Sequence, residues 1–293
     1  MNNDTVATAG WLGKMVALAE SDKRIGLVNP KSESPGSLSL EEYSCVLSRN
    51  KGEFLETNQC MGFCMLIKRE VLERIGYLDE IYGIGGFDDT DYSKRANAAG
   101  YKCVCAKDAY VYHEWHTSFK KTGNREMLVR RNEKIFFDKW GKYLRVGYPI
   151  SYKKDTFYID INTSLALARE WNWVHAWLNM SAPLKSELRS LKLAEHQSLR
   201  LLNLPGNTTL FYFGVLSKLI GRRLKGKKVF DVILVSDKAL FRFLSTFKRL
   251  FSIPLVYIDK NKFHYCKEGE NDKDIWRERA RGIAEFVKKG KAT

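Results

Sequence analysis

The chain has 293 residues, of which 44% are hydrophobic and 28% are charged, and its formal net charge is +15. This apolar content is ample for one large domain or two ordinary ones. No run approaches the roughly 18 consecutive apolar residues of a membrane span, and the N-terminus lacks the basic and then apolar pattern of a secretion signal. We therefore expect a cytoplasmic protein, one that can touch the inner face of a membrane.

The charge is divided unevenly along the chain. Residues 1–150 contain 22 Lys and Arg against 20 Asp and Glu, whereas residues 151–293 contain 27 against 14. The change falls near Gly147-Tyr148-Pro149, just before Lys153-Lys154. This break predicts two domains, residues 1–148 and a basic domain of residues 149–293.

The first domain is predicted to alternate helices and strands. Its apolar periodicity indicates helices at Trp11–Glu20, Arg69–Ile75, Asp88–Ala99 and Asn124–Trp140. Strands are predicted at Ile25–Val28, Met61–Ile67, Tyr101–Cys105 and Ala109–His113. Residues 31–52, rich in Ser and Glu, are predicted to be a loop.

The second domain is predicted to contain a βαβ unit. Residues 229–237 and 253–258 are apolar runs typical of buried strands, and the segment Ala239–Phe251 between them has the periodicity of a helix. Around this unit, Thr156–Ile161 alternates like a strand, while Leu165–Glu170 and Asp272–Lys288 are predicted helices. Strand–helix–strand order implies a parallel sheet, so the fold class is α/β in both domains, with Rossmann-like sheets.

The six cysteines contain no C-x-x-C pair, and several lie in apolar runs. We expect free, buried thiols in a reducing compartment. Trp171, Trp173 and Trp177 are close enough in sequence to suggest a sugar-binding platform, but core packing is the more ordinary reading.

The acidic segment Asp88-Asp89-Thr90-Asp91 follows a glycine-rich turn that ends at Gly86. Carboxylates this close raise one another's pKa unless cations or hydrogen-bond donors hold them. The cluster therefore suits proton abstraction or metal binding. The alternative is an acidic helix N-terminus in which Arg95 supplies an intrahelical ion pair.

Other motifs accompany this segment in a fixed order, and together they resemble a known family. They are Asn2-Asn3-Asp4-Thr5, Gly10-Trp11-Leu12, Ile25-Gly26-Leu27-Val28-Asn29-Pro30, Gly62-Phe63-Cys64, Ile75-Gly76-Tyr77-Leu78-Asp79-Glu80, Tyr110-Val111-Tyr112-His113 and Lys139-Trp140-Gly141-Lys142. Over roughly residues 1–145 this series closely resembles the family 2 inverting glycosyltransferases of the GT-A fold.

The resemblance implies specific roles. Asp4, the last acid of a D-x-D-type motif, would hold a divalent ion, Mg²⁺ or Mn²⁺, together with His113. Asp89 would be the base that deprotonates the acceptor hydroxyl, with Asp88 as the other member of the carboxylate pair. Gly62 would lie near the donor sugar and the acceptor. The remaining positions implied in substrate binding are Asn3, Asp91 and Arg95.

The chemistry is consistent with those roles. A hard cation held by few protein carboxylates neutralises a departing diphosphate, and an inverting displacement needs one base within reach of the attacking hydroxyl. For His113 the alternative is an ordinary histidine at the end of an alternating strand. His116 and Ser118 are predicted to be loop residues near the site.

The resemblance also implies that part of the family's domain is missing. In relatives the D-x-D motif follows the strands that bind the nucleotide, whereas here it begins at residue 2. We therefore expect this chain to carry the metal and acceptor side of a glycosyltransferase that joins a nucleotide-sugar donor to a glycan or lipid-linked acceptor, in cell-surface polysaccharide or O-antigen-type synthesis. The alternative is an inactive remnant that acts as a binding or scaffold protein.

The second domain resembles, more weakly, the N-terminal half of a GT-B glycosyltransferase, through its strands at residues 229–237 and 253–258. We assign it no catalytic residues. Its basic run at residues 218–228 is either a solvated helix end or a surface attracted to anionic lipid or to a phosphorylated acceptor. No nucleic-acid recognition motif is present, and nucleic acid is not an expected partner.

Overall fold

The computed structural model describes residues 1–114, 125–152, 157–179, 195–204, 206–224, 226, 230–251, 253–258, 280–283 and 285. The chain divides into two compact units, Met1–Lys142 and Tyr143–Thr293. Both combine helices with a sheet, which confirms the predicted α/β class. The division comes earlier than the predicted boundary after residue 148, because residues 145–150 form a central strand of the second sheet.

The first unit is built around one long strand. Its strands are β1 (Thr5–Ala7), β2 (Ile25–Lys31), β3 (Phe54–Thr57), β4 (Leu66–Ile67) and β5 (Lys102–His113). The sheet order is β1-β5-β2-β4, and β3 also pairs with β5. Strand β5 runs parallel to β2 and antiparallel to β1 and β3, so it connects segments from the whole unit.

Helices cover this mixed sheet. They are α1 (Trp11–Ser21), α2 (Leu40–Leu47), α3 (Arg69–Ile75), α4 (Asp88–Ala98) and α5 (Arg125–Trp140). Met15 and Leu18 of α1 pack in one buried cluster with Ile25 and Val28. A second cluster contains Leu27, which directly precedes Val28 in β2, together with residues of α3 and α4. The alternation of β2 side chains therefore places apolar layers on both faces of the sheet.

Several predictions for this unit need correction. The predicted loop 31–52 contains α2, which begins with a capping box between Ser39 and Glu42. The predicted strand at residues 61–67 is mostly a loop, with only Leu66–Ile67 paired. The two strands predicted at residues 101–113 are one continuous strand, β5.

The second unit contains an all-parallel sheet. Its strands are β6 (Arg145–Ile150), β7 (Trp173–Asn179), β8 (Leu199–Leu204), β9 (Val232–Val235) and β10 (Leu255–Tyr257), in the order β10-β9-β6-β7-β8. The chain starts in the middle at β6, moves outward to β8, and then returns to β9 on the other side of β6. This is a doubly wound order, with its switch point between β6 and β9.

Helices α6 (Phe157–Arg169), α7 (Thr208–Leu224), α8 (Lys238–Thr246) and α9 (Lys248–Phe251) accompany this sheet. One buried cluster contains residues of α6 with alternate residues of the strands, among them Val146 and Tyr148. The other contains residues of α7, α8 and α9 around Trp177. Gly147 faces this second cluster, because a Cβ at Gly147 would lie 2.6 Å from the Ile233 side chain and 3.1 Å from Trp177.

The strand predicted at residues 156–161 is wrong, because residues 157–169 form α6. Asp160, Ile161 and Ser164 are buried at helical spacing, a pattern that the alternation of Phe157, Ile159 and Ile161 conceals. The predicted helix Asp272–Lys288 lies outside the described residues except for residues 280–283 and 285, which are helical. Among the described residues, no helix combines the length and the apolar content needed to cross a bilayer.

The aromatic and cysteine predictions hold in part. Trp177 and Trp171 are core residues, whereas Trp173 is half exposed at the start of β7. Cys60, Cys64 and Cys103 are buried free thiols, Cys105 is partly buried and Cys45 is exposed; Cys266 lies outside the described residues.

Candidate functional site

The predicted metal ligands Asp4 and His113 come together in the first unit. Strand β1 pairs with the end of β5 so that Thr5 lies opposite His113. The preceding residue, Asp4, then places its Oδ1 3.3 Å from His113 Nε2, and both side chains are about nine-tenths buried. Thus one pair of short antiparallel segments holds a carboxylate beside an imidazole.

The loop at residues 61–64 connects this pair to the rest of the site. The Phe63 ring stacks on the His113 ring with a centroid separation of 4.8 Å and an interplanar angle of 9°. The Phe63 carbonyl accepts a hydrogen bond from the Asn2 N–H at 2.7 Å, just before Asp4 in the chain. The loop therefore lies directly against the Asp4–His113 pair.

Asn29, within β2, fixes this loop. Its Nδ2 donates to the carbonyls of Met61 at 2.9 Å and Cys64 at 2.6 Å, and its Oδ1 accepts from the Met61 N–H at 2.5 Å. Asn29 is buried, so these bonds replace those that water would supply. A single side chain thus holds both ends of the loop.

Asp89 approaches the same loop from the other direction. The Gly62 N–H donates to Asp89 Oδ2 at 2.8 Å, and a Cβ at Gly62 would lie 3.6 Å from that oxygen. Thr90 Oγ1 donates to Asp89 Oδ1 at 3.2 Å. Adjacent residues, Gly62 and Phe63, therefore contact Asp89 and His113 respectively.

A constrained turn places Asp89 at the start of α4. Gly85, Gly86 and Phe87 all have positive φ, and the value of 73° at Phe87 is unusual for a residue with a side chain. Asn132 of α5 donates from its Nδ2 to the carbonyls of Tyr82, Gly85 and Gly86 at 2.8–3.1 Å. This buried amide stabilises the turn.

The environment of Asp89 makes it a stronger base than an ordinary aspartate. Burial raises the pKa of the Asp89 carboxyl, and the negative charge of Asp88 raises it further. The hydrogen bonds from the Gly62 and Thr90 N–H groups act in the opposite direction but do not cancel the effect of burial.

Asp91 and Arg95, predicted to bind substrate, have structural contacts in this unit. Asp91 is fully buried, and its oxygens accept from Trp140 Nε1 at 2.7 Å, Lys139 at 2.9 Å, Arg95 at 2.9 Å and Tyr82 at 3.2 Å. Arg95 also donates to the carbonyls of residues 75 and 77. Their role in substrate binding remains a prediction that these contacts do not support.

The other predicted site residues are more open. Asn3 is exposed and Asp88 is partly buried. His116 and Ser118 lie outside the described residues. Within the part of the chain that the structure describes, no group of three or more His, Cys, Asp or Glu side chains is arranged to hold a metal ion. The Asp4–His113 pair thus offers two protein ligands.

In the second unit, Asp160 joins the two central strands near the switch point. It accepts hydrogen bonds from Tyr148 Oη of β6 and from Ser236 Oγ, directly after β9, each at 2.8 Å. Asp237 accepts from the N–H groups of Ala239 and Leu240 and so caps α8. These contacts give both carboxylates structural roles.

Neither Asn29 nor Asn132 is predicted from the sequence to be a site residue. A polar amide inside the apolar run of β2 is a signal for Asn29, because a buried amide needs specific partners. Asn132 gives no comparable signal, since the polar sequence of α5 conceals which of its faces is buried.

Comparison with known proteins finds no matching family model and no matching curated protein. Among solved structures, the C-terminal domain of a hydrogenase from Pyrococcus furiosus is similar over 40% of this chain and 91% of that domain, with 14% identity and a TM-score of 0.28. A likeness this slight carries no argument about fold or function.

Proposed function

We propose that the first unit is the metal- and acceptor-binding part of an inverting glycosyltransferase of family 2. The observation that carries this proposal is the contact of adjacent residues with two functional groups: Gly62 with Asp89, and Phe63 with His113 beside Asp4. A base and a pair of metal ligands on the two sides of one loop are what a sugar transfer from a diphosphate requires.

Asp89 is the proposed base. Its carboxylate takes the proton of the acceptor hydroxyl as that oxygen forms a bond to the anomeric carbon of the donor sugar. The bond from that carbon to the phosphate oxygen breaks, and its electron pair leaves with the diphosphate. The raised pKa of Asp89 supports this role, because a base is more effective when its pKa approaches the working pH.

Asp4 and His113 are the proposed ligands of a divalent cation. A carboxylate oxygen and an imidazole nitrogen that already lie 3.3 Å apart are suitable donors for Mg²⁺ or Mn²⁺. When bound, such a cation neutralises charge on a diphosphate leaving group. The chain's own contribution is to hold these two donors rigidly, through the β1–β5 pairing and the stacked Phe63 ring.

The proposed substrates are a nucleotide-sugar donor and a hydroxyl-bearing glycan or lipid-linked acceptor, used in the cytoplasm for cell-surface polysaccharide synthesis. The support is the resemblance of the ordered motifs in residues 1–145 to the glycosyltransferase family.

The test is Mn²⁺-dependent release of nucleoside diphosphate from a panel of nucleotide sugars, measured with the complete protein and its variants. We expect Asp89→Asn to lower the rate about 100-fold or more, because the amide cannot accept the proton. The amide oxygen can still accept the Gly62 N–H bond, so the fold should persist. Asp138→Asn, an exposed position on α5, is the matched control and should keep the full rate.

Binding of Mn²⁺, followed by its electron paramagnetic resonance, separates the two halves of the proposal. Asp4→Asn should weaken Mn²⁺ binding, whereas Asp89→Asn should not. Turnover by Asp89→Asn at the wild-type rate would remove Asp89 as the base. Turnover in none of the samples, with Mn²⁺ still bound, would favour the inactive binding or scaffold protein.

A further inference from the structure

The second unit carries a partly exposed aromatic and aliphatic surface on α7, α8 and α9, which we call the aromatic surface. Its members are Leu210, Tyr212, Phe213, Phe243, Phe247 and Leu250. The rings are in contact with one another. The centroid of the Phe243 ring lies 5.3 Å from that of Phe213, 5.5 Å from that of Tyr212 and 5.2 Å from that of Phe247. The surface is therefore one patch rather than scattered residues.

The edges of this patch face solvent. Leu210 is 58% exposed, Phe213 54% and Leu250 51%. Leu210 precedes Phe213 by three residues on α7, and the Leu250 N–H donates to the Phe247 carbonyl, so both leucines extend the line of rings. The inner side of the patch rests on the core, because Tyr212, Phe243 and Phe247 pack against a cluster that contains Leu240, Leu244 and Phe251.

The helices that carry the patch bear charge of a single sign. Residues 208–224 and 238–251 contain no Asp or Glu. The exposed cations on these helices are Lys218, Lys238, Arg242, Lys248 and Arg249. Asp237, which caps α8, accepts a hydrogen bond from Tyr212 Oη at 3.3 Å, but this carboxylate is buried. The exposed charges on the helices of the patch are therefore basic, which is complementary to an anionic surface.

We propose that the aromatic surface docks this protein on an anionic lipid bilayer. Aromatic rings favour the headgroup region, aliphatic side chains enter the acyl boundary, and Lys and Arg attract acidic headgroups. Single-stranded nucleic acid also binds aromatic and basic surfaces by stacking. The exposed leucines favour the bilayer, because a leucine offers no ring on which a base could stack.

This inference does not rest on the proposed glycosyltransferase activity, since it concerns only residues of the second unit. The experiment is flotation of the full chain with vesicles of equimolar phosphatidylcholine and phosphatidylserine, beside vesicles of phosphatidylcholine alone. We expect binding to the mixed vesicles only, with a loss of binding as the salt concentration rises.

Two variants test the surface. Arg242→Ala should weaken binding about fivefold, the effect of one cation near a charged membrane. Leu210→Ser combined with Phe213→Ser should weaken it about tenfold or more, because buried apolar area is lost. Matched controls are Lys23→Ala, an exposed cation of the first unit, and Leu202→Ser, an exposed leucine of β8; both should bind like the wild type.

Three results would overturn the proposal: no flotation with the mixed vesicles, equal flotation with both kinds of vesicle, or unchanged binding by the Arg242 and Leu210–Phe213 variants. A salt-sensitive complex with a single-stranded oligonucleotide in place of vesicle binding would assign the surface to nucleic acid instead. All substituted side chains are exposed, and circular dichroism would verify that each variant is folded.

Discussion

The two units use their charged residues in different ways. In the first unit, buried carboxylates pair with cations: Glu56 with Lys102 at 3.2 Å, and Asp91 with Lys139 and Arg95. In the second, Asp160 accepts hydrogen bonds from two hydroxyls, and Asp237 caps a helix. Residues 1–150 are nearly neutral, whereas residues 151–293 have 27 cationic against 14 acidic side chains.

The two units therefore differ in whether charged side chains stabilise the interior or lie on the surface. The first unit uses charge internally, to fix the turns and helix ends that surround Asp89. The second unit builds its interior from apolar layers on both faces of a parallel sheet and leaves many cations on its surface. Mutation of a buried charged residue should therefore lower the stability of the first unit most. Mutation that changes the size of a buried side chain should lower the stability of the second unit most.

The largest expected effect is that of Asp91→Asn. The neutral amide would leave Lys139 and Arg95 without their shared carboxylate, and breaking a buried ion pair costs about 3–5 kcal/mol. Hydrogen exchange followed by mass spectrometry should show faster exchange in α4 and α5 and unchanged exchange in β6 and β7. Asp138→Asn is the control, because its ion pair with Lys134 is exposed. Unchanged exchange in α4 would contradict the structural role of Asp91.

A smaller effect, confined to the second unit, is expected for Gly147→Ala. The new methyl group would lie 2.6 Å from Ile233 and 3.1 Å from Trp177, and overpacking of this kind costs about 1–3 kcal/mol. Gly221→Ala is the matched control, since its Cβ would meet nothing within 4 Å on α7. That change should raise the free energy of unfolding by up to about 1 kcal/mol. Urea unfolding measures both, and equal stability of the two variants would disprove the close packing.

An effect confined to acidic pH is expected from His175 of β7. Burial and the nearby cations Arg222 and Arg200 lower the pKa of His175 to about 4, below its ordinary 6.5. Between these values the unfolded chain binds a proton that the folded chain does not, so the free energy of unfolding contributed by His175 rises with pH. This contribution to stability is lost as the pH falls from 6.5 to about 4.

Urea unfolding across this pH range would compare wild type with His175→Gln. The difference in free energy of unfolding between the two proteins should change steadily below pH 6.5 and stay constant above it. Arg222→Gln should shrink the change, because the Arg222 guanidinium lies 3.2 Å from His175 Nδ1. A constant difference at every pH would show that the histidine titrates normally in the folded protein.

Sequence periodicity predicted the elements whose pattern is strong and local. Helices α1, α3 and α4 and strands β2 and β9 lie where apolar spacing and glycine ends indicate them. Strands β1 and β3 were not predicted, because three or four residues carry little periodic signal and depend on pairing with the distant β5. Residues 157–161 were misread because aromatic and β-branched residues alternate by chance within a buried helix.

For the site, the sequence motifs identified Asp4, His113, Gly62 and Asp89, and the structure places them around one loop. The residues that support the site could not be predicted from these motifs. Whether Asp91 faces a ligand or the interior depends on Trp140 and Lys139, which approach it from another helix. Such tertiary contacts have no local signature, which is why Asp91 and Arg95 were grouped with the substrate-binding residues.

Strand β5 has a consequence for how the chain folds as it is synthesised. Thr5 pairs with His113, about a hundred residues later, and contacts of such separation form slowly. While a ribosome adds residues one at a time, β1 must wait until most of the first unit has emerged. The Asp4–His113 pair is therefore completed late, and an unfinished nascent chain does not yet bring this carboxylate and this imidazole together.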